Sequence, residues 1–179
     1  MNFKDWLKLD EIQNTTSLLK SKIDYDKFVD WAKSEADKIN QEKEKFSNFD
    51  FQWAESPDNT KIIAYQDNIP LGYVALEKFK DGYKIDTLGV KPSARGKGLA
   101  STIYDYIISK TKLYSDKMQT PEAKKLWIKL FNKYKVFGFN KTTNKMFDLT
   151  VKDNELISKN PELSLYSDYE NDNYLVVFK

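Results

Sequence analysis

Between residues 49 and 90, four short segments rich in aromatic and branched residues follow one another: FDFQWAE, TKIIAYQ, LGYVALEKFK and YKIDTLGV. The stretches between them, SPDN, DNIP and DG, are turn signals short enough for hairpins. The run predicts an antiparallel meander of four strands, with the clearest turn at DG, between Lys80 and Tyr83.

Helical periodicity frames the meander. From Asp24 to about Lys45, Phe28, Trp31, Ala32, Ala36 and Ile39 recur three and four residues apart, with charge on the opposite face. Asp24 is placed to cap this helix and Asn48-Phe49-Asp50 to end it. A shorter amphipathic piece precedes it around Trp6, Leu7 and Leu9. After Val90, Leu99, Ile103, Tyr106 and Ile107 mark one face of a helix from Gly98 to Lys110, and TKLYSD reads as a short strand. TPEAKKLWIKLFNKY is a second helix, with Thr120 as cap, Pro121 at the first position and Glu122 in the first turn. MFDLTV and the final NYLVVFK read as strands, separated by a polar segment of about twenty residues to which no element is assigned.

No repeat or low-complexity linker divides the 179 residues, enough for one full core, so a single domain over 1–179 is expected. Its class is α/β (α+β), a mixed layer fold around a central sheet. The N-terminal part, 1–48, is helical, and strands in 141–179 complete the sheet. A strand–helix–strand unit, YKIDTLGV to KLYSD, sits in the middle.

Two absent residue types narrow the chemistry. The chain has no cysteine and no histidine. Disulfides, thiol nucleophiles, thiolate or imidazole metal sites, Ser-His-Asp triads and the usual general base are therefore all excluded. Catalysis, if any, falls to carboxylates, Tyr, Ser/Thr, Lys, backbone dipoles or a bound cofactor, and no metal is expected. The net charge of +2 and lysines spread along the chain form no basic stripe, so neither nucleic acid nor membrane is indicated as partner. The opening MNFKDWLKLDEI has acidic residues among its apolar ones and does not read as a signal peptide, and no apolar run reaches membrane-spanning length. A soluble, cytoplasmic protein is the expectation.

Arg95 is the only arginine among 29 basic side chains, and it stands in LGVKPSARGKGLA. Pro92 ends the preceding strand because it lacks the N–H a ladder needs. Gly96 and Gly98 carry no Cβ, so backbone N–H groups there can come close to a ligand. The helix that follows offers unpaired N–H donors and a positive dipole end, and Arg95 and Lys97 add charge. Together these features make a site for phosphate or pyrophosphate. The Walker pattern G-x-x-x-x-G-K-S/T is absent because Leu99 and Ala100 follow Gly98. A Rossmann G-x-G-x-x-G fails at Ser101, and it opens a parallel sheet rather than closing an antiparallel meander.

Arg95-x-x-Gly98-x-Ala100 instead resembles the Q/R-x-x-G-x-G/A signature of the GNAT (GCN5-related N-acetyltransferase) family. LGVKPSARGKGLAS is similar to the segment that joins that family's fourth strand to its third helix, and IPLGYVALEKF to its third strand. AKKLWIKLFNKYKVFGF resembles its fourth helix, which ends near a Gly-Phe pair. The likeness covers roughly residues 55 to 140. It implies a sheet splayed between its central strands and acetyl-CoA as acyl donor. Carried over by position, Arg95, Gly96, Lys97, Gly98, Leu99 and Ala100 would cradle the pyrophosphate. Backbone groups around Leu88, Gly89 and Val90 would pair with the pantetheine arm. SD followed by QT and LW is similar to a variant seen in virus- or phage-encoded members.

The resemblance also has departures. Lys84 stands where family members often place a glutamate base; Asp86, two residues on, is the candidate base, or else a solvent-facing side chain. Trp127 stands where a tyrosine acid is frequent, and indole cannot protonate a thiolate. Trp127 therefore packs on the cofactor or in the core, and Tyr134 is a substitute acid. Thr120 is either a cofactor contact or a helix cap. Ser115 and Asp116 end the strand across the splay, where an acceptor amine would sit, or else make local backbone bonds. The function implied is acetyl transfer from acetyl-CoA to a protein lysine, an amino terminus or a small amine. The alternative is a non-catalytic binding protein of the same fold.

Overall fold

The computed structural model describes residues 29–30, 33–34, 37–38, 41–55, 60–116, 119–160, 162–165 and 172–179. The expected piece around Trp6, the stripe Phe28, Trp31, Ala32, Ala36 and Ile39, and the SPDN turn lie outside these residues. Val29, Asp30, Lys33, Ser34 and Asp37 are helical, and Lys91 Nζ pairs with Asp30 at 3.1 Å.

The helix does not reach Lys45. Lys43–Phe46 is a strand, β1, joined to β2 (Phe49–Glu55) by a turn at Ser47-Asn48, with Ser47 at φ 58°. The charged stretch before Phe46 looks helical locally. Pairing with β2, and Phe46 seated edge-on against Phe51 (6.2 Å) and Tyr106 (5.5 Å), override that propensity. β3 (Thr60–Gln66), β4 (Ile69–Phe79) and β5 (Gly82–Val90) follow as the antiparallel meander. Asp67 and Asn68 both take left-handed φ, 51° and 62°, which makes a twist-matched two-residue hairpin from residues that tolerate it. The last turn is shifted by one residue: Lys80-Asp81 form it, and Gly82 pairs with Phe79 inside the strand. Gly82 is required by a neighbour instead, because a Cβ there would collide with the Lys112 carbonyl oxygen.

After Pro92–Ala94, a single 3-10 turn, comes α1 (Leu99–Lys110), then β6 (Lys112–Tyr114) and α2 (Pro121–Lys133). KVFGF does not continue that helix. Lys135–Asn140 is a strand, β7. MFDLTV breaks at Asp148 into β8 (Lys145–Phe147) and β9 (Leu149–Lys152). The unassigned polar segment supplies β10 (Glu155–Ser158), paired with β9 through a left-handed Asp153-Asn154 turn. β11 (Asn173–Phe178) closes the chain.

Among the described residues the strands form a nine-stranded sheet in the order β1-β2-β3-β4-β5-β6-β11-β7-β8, with β9-β10 as a separate hairpin. All its pairings are antiparallel except β5 with β6, which follow the α1 crossover and are parallel. On one side, Phe51, Ile62, Val74, Leu76 and Ile85 pack with Ile103 and Ile107 of α1 and Trp127 and Leu130 of α2. A second cluster gathers Phe79, Tyr114, Phe139, Tyr174 and Val176. No described helix is long and apolar enough to cross a membrane.

Candidate functional site

The pairing of β5 and β6 is short. It joins Gly82–Lys84 to Lys112–Tyr114, and from Ile85 onward β4 is, among the described residues, the only strand paired with β5. A cleft of about 620 Å³ opens beside this unpaired edge, walled by β5, the turn into α1 and the first turns of α2.

The turn is held by the backbone. Lys91 N–H donates to Leu71 O at 2.9 Å and Arg95 N–H to Pro92 O at 3.3 Å. Gly96 and Gly98 have φ of 75° and 81°, and Gly98 caps α1 without a side chain. A Cβ on either glycine would meet nothing within 4 Å. The glycines are therefore there for the left-handed backbone, which costs an L residue roughly 1–2 kcal/mol, and the space in front of them is open. An open backbone turn at the end of a twelve-residue helix fits a phosphate group. Arg95 is not a mobile cation: its Nε donates to Val90 O at 3.2 Å, which keeps the guanidinium at the cleft wall.

The other wall has a bulge. Ala75 faces Thr87 and Leu76 faces Ile85, which leaves Asp86 as an extra, unpaired residue on β5. Simple alternation had set Asp86 on the face of Lys84, but the bulge interrupts it. Four consecutive residues, Ile85, Asp86, Thr87 and Leu88, line the cleft, and Lys84 does not. Burial works against the Lys84 ammonium, yet a 3.0 Å ion pair with Glu77, assisted by Asp116 and Tyr174, holds its pKa above the ordinary lysine value. Lys84 stays charged and cannot serve as a base.

The cleft brings together Asp86, Leu88, Val90, Arg95, Gly96, Gly98, Leu99, Ala100, Thr120 and Trp127. Gly89 and Lys97 belong to the same strand and turn without lining it. Thr120 is the helix cap, its Oγ1 accepting from Ala123 N–H at 3.1 Å, and the residue also lines the cleft. Trp127 is in the core, 1% exposed, and also lines the cleft.

Ser115 and Tyr134 are not brought to the cleft. Ser115 is buried; its hydroxyl accepts from Leu175 N–H at 2.9 Å and its own N–H donates to Leu175 O at 2.8 Å. Tyr134 closes the C-terminal end of α2 and donates to Asp105 Oδ1 at 2.8 Å. Burial, and then Asp105, push its phenol pKa up, which makes it a poorer acid.

Asp116, expected at the strand end, lines the cleft, whereas sequence reasoning missed Gln119 and Glu122, which line it from the β6–α2 connection and α2, and Tyr104 on α1. Tyr104 is 4% exposed and meets Trp127 edge to face at 6.0 Å. A signal existed, because Tyr104, Ile107 and Ile108 recur at spacings of three and four beside the stripe through Ile103. Gln119 Oε1 is buried without a hydrogen-bond partner, an acceptor left over in the cleft wall. Among the described residues no group of three or more acidic side chains is placed to hold a metal ion.

A mixed sheet whose parallel neighbours part beside an open, glycine-built helix end frames the cleft. The sequence model of the Acetyltransferase (GNAT) family matches residues 25–139, and the chain belongs to that family. Solved structures similar to it include an acetyltransferase of the GNAT family from Bacteroides thetaiotaomicron, at 15% identity over 93% of this chain and 85% of that one (TM-score 0.40). Another is a GNAT family acetyltransferase from Elizabethkingia anophelis with acetyl-CoA bound, at 9% identity over 74% and 97% (TM-score 0.41). A third is the ribosomal-protein-S18-alanine N-acetyltransferase from Escherichia coli, at 12% identity over 80% and 83% (TM-score 0.39). Among curated proteins none matches the sequence.

Proposed function

We propose that the protein is an N-acetyltransferase that moves an acetyl group directly from acetyl-CoA to an amine: a protein lysine, an amino terminus or a small amine. The observation that carries this reading is the left-handed Gly96–Gly98 turn, open toward the cleft at a helix end without a side-chain cap. In this reading Arg95, Gly96, Lys97, Gly98, Leu99 and Ala100 cradle the pyrophosphate. Backbone groups of Leu88, Gly89 and Val90, on the unpaired side of β5, take the pantetheine arm. Thr120 and Trp127 wall it from α2. Acetyl-CoA, when bound, supplies the acyl group activated as a thioester. Asp86, exposed on the bulge, removes a proton from the acceptor ammonium, directly or through a water.

A second reading, a family member that binds the donor without turning it over, is favoured by Lys84, a fixed cation where a glutamate base is frequent. A thermal shift with acetyl-CoA followed by thiol release in the presence of lysine peptides and small amines separates the two. The transferase reading expects about 2.7 kcal/mol of stabilisation at a hundredfold excess over Kd, and turnover that Asp86→Asn lowers by roughly 10²–10⁴-fold. No shift in the wild-type protein sinks both readings, and full turnover in Asp86→Asn removes Asp86 as the base.

A further inference from the structure

One hydroxyl beside the candidate base has no role in that account. Thr87 follows Asp86 on β5, lines the cleft and is half-buried, and its hydroxyl makes no hydrogen bond among the described residues. On a regular strand, neighbouring side chains point to opposite faces, so a carboxylate and a hydroxyl one residue apart would face away from each other. The bulge removes that obstacle. Asp86 is the extra residue, Thr87 pairs with Ala75, and both line the same cleft. Ser101 and Tyr104 also bring hydroxyls to the cleft, but from α1, the helix that follows the phosphate turn, and Tyr104 is only 4% exposed. Thr87 is the hydroxyl that the bulge sets next to Asp86.

We propose that Thr87 is a substrate-binding residue for a primary amine: its Oγ1 accepts a hydrogen bond from the acceptor nitrogen while Asp86 takes the proton which that nitrogen must lose. The inference rests on the transferase reading and follows from counting hydrogens. A primary ammonium brings three N–H groups. One proton passes to Asp86, which frees the lone pair. The N–C bond then forms, the C–S bond breaks and its electron pair stays on sulfur. A second proton leaves the nitrogen for solvent as the amide forms. The third hydrogen stays in the product, and it is the one assigned to Thr87.

A hydroxyl suits this place better than a second carboxylate, because it accepts a hydrogen bond without competing for the proton. Held at two points, the nitrogen keeps its lone pair aimed at the thioester carbon. A secondary amine has no third hydrogen, so its bond to Thr87 would have to break before product could form. Asp116 and Glu122 also line the cleft, but their charges attract primary and secondary ammonium ions alike and do not make this choice.

The test follows thiol release from acetyl-CoA with a lysine peptide, a peptide with a free amino terminus and butylamine, each beside its N-methyl counterpart. Wild type, Thr87→Val and Thr87→Ser are compared. Thr87→Val keeps the side-chain shape and the strand preference and removes a hydroxyl without a protein partner, so it should melt with the wild type. The wild type should show a higher kcat/KM for the primary amine than for its N-methyl counterpart. Thr87→Val should lower kcat/KM for the primary amine on the order of tenfold. Its affinity for acetyl-CoA, read by the fluorescence of Trp127 in the cleft wall, should not change. Thr87→Ser, which keeps the hydroxyl, should retain most of the wild-type value. The proposal is overturned if Thr87→Val turns over the primary amine as the wild type does, if it weakens acetyl-CoA instead, or if Thr87→Ser loses as much as Thr87→Val. Equal turnover of primary and N-methyl amines by the wild type also overturns it. If the wild type binds acetyl-CoA but acetylates none of the primary amines, the transferase reading fails and this inference falls with it.

Discussion

Replacing Gly98 separates what the turn costs the protein from what it does for the ligand. At φ 81° an alanine pays the left-handed penalty, roughly 1–2 kcal/mol, and nothing else, because its Cβ would have no atom within 4 Å. For a chain of this length 1 kcal/mol moves Tm by about 2–4 °C, so Gly98→Ala should melt ~2–8 °C below the wild type without ligand. At a hundredfold excess over Kd, acetyl-CoA adds about 2.7 kcal/mol to the wild type, a rise of ~5–11 °C. In Gly98→Ala the methyl stands in the open space before the turn, and the rise should shrink. Gly98→Asp sharpens the contrast. Aspartate tolerates left-handed φ better than alanine, so its ligand-free Tm should lie nearer the wild type, yet its carboxylate faces the position assigned to phosphate and should abolish the rise. Differential scanning fluorimetry with and without acetyl-CoA reads all five quantities. Two results refute the reasoning: a ligand-free Gly98→Ala as stable as the wild type, or a Gly98→Asp that keeps the full ligand-induced rise.

Ser115→Ala leaves the Leu175 N–H buried without its acceptor and should cost about 1–3 kcal/mol in urea unfolding. A Ser115→Ala protein that loses turnover while keeping wild-type stability would put the hydroxyl back into the chemistry. Asp81 anchors the turn where β5 begins, bonding to Lys112 and accepting from Tyr114 Oη at 2.8 Å. First the Lys112 hydrogen bond and then Tyr114 hold its pKa below the usual aspartate value. A depressed native pKa contributes stability that is present above the unfolded value near ~3.9 and is lost as pH falls through the native one. The pair is more than half exposed on the aspartate side, so the contribution is at most about 1 kcal/mol. Asp81→Asn should therefore melt slightly below the wild type at neutral pH, and the two Tm curves should converge below pH ~4. A difference that persists at low pH would contradict this account.

What could be read from the chain depended on how local its cause was. The Asp67-Asn68 hairpin, the Thr120 cap and the glycine turn are set by a few adjacent residues, and each stands where the residues indicate. The strands β1, β7 and β10 escaped notice because each is set by the strand it pairs with, a hairpin neighbour for β1 and β10 and, for β7, the distant β11 as well. Lys43–Phe46 is a strand against β2, Glu155–Ser158 against β9, and Lys135–Asn140 between β11 and β8. The bulge at Asp86 has the same origin. It is an offset between β4 and β5, invisible to a period-two count along β5 alone, and it turns four consecutive residues toward the cleft. Tyr104 was hidden differently, as a second stripe on a helix buried on more than one face.

The existence of the cleft has a cause of this distant kind as well, and it gives Ser115 a role other than the chemical one its position suggested. β5 runs for nine residues, but β6 accompanies it for only three. Leu113 and Tyr114 pair with both β5 and β11, whereas Ser115 exchanges both of its hydrogen bonds, N–H and hydroxyl, with the backbone of Leu175 in β11. Among the described residues no strand follows β5 on that side beyond Lys84, and its edge there faces the space that the turn, α1 and α2 enclose. In this fold the cleft is the gap between a long strand and a short one, and the serine at the end of the short strand ties that end to β11.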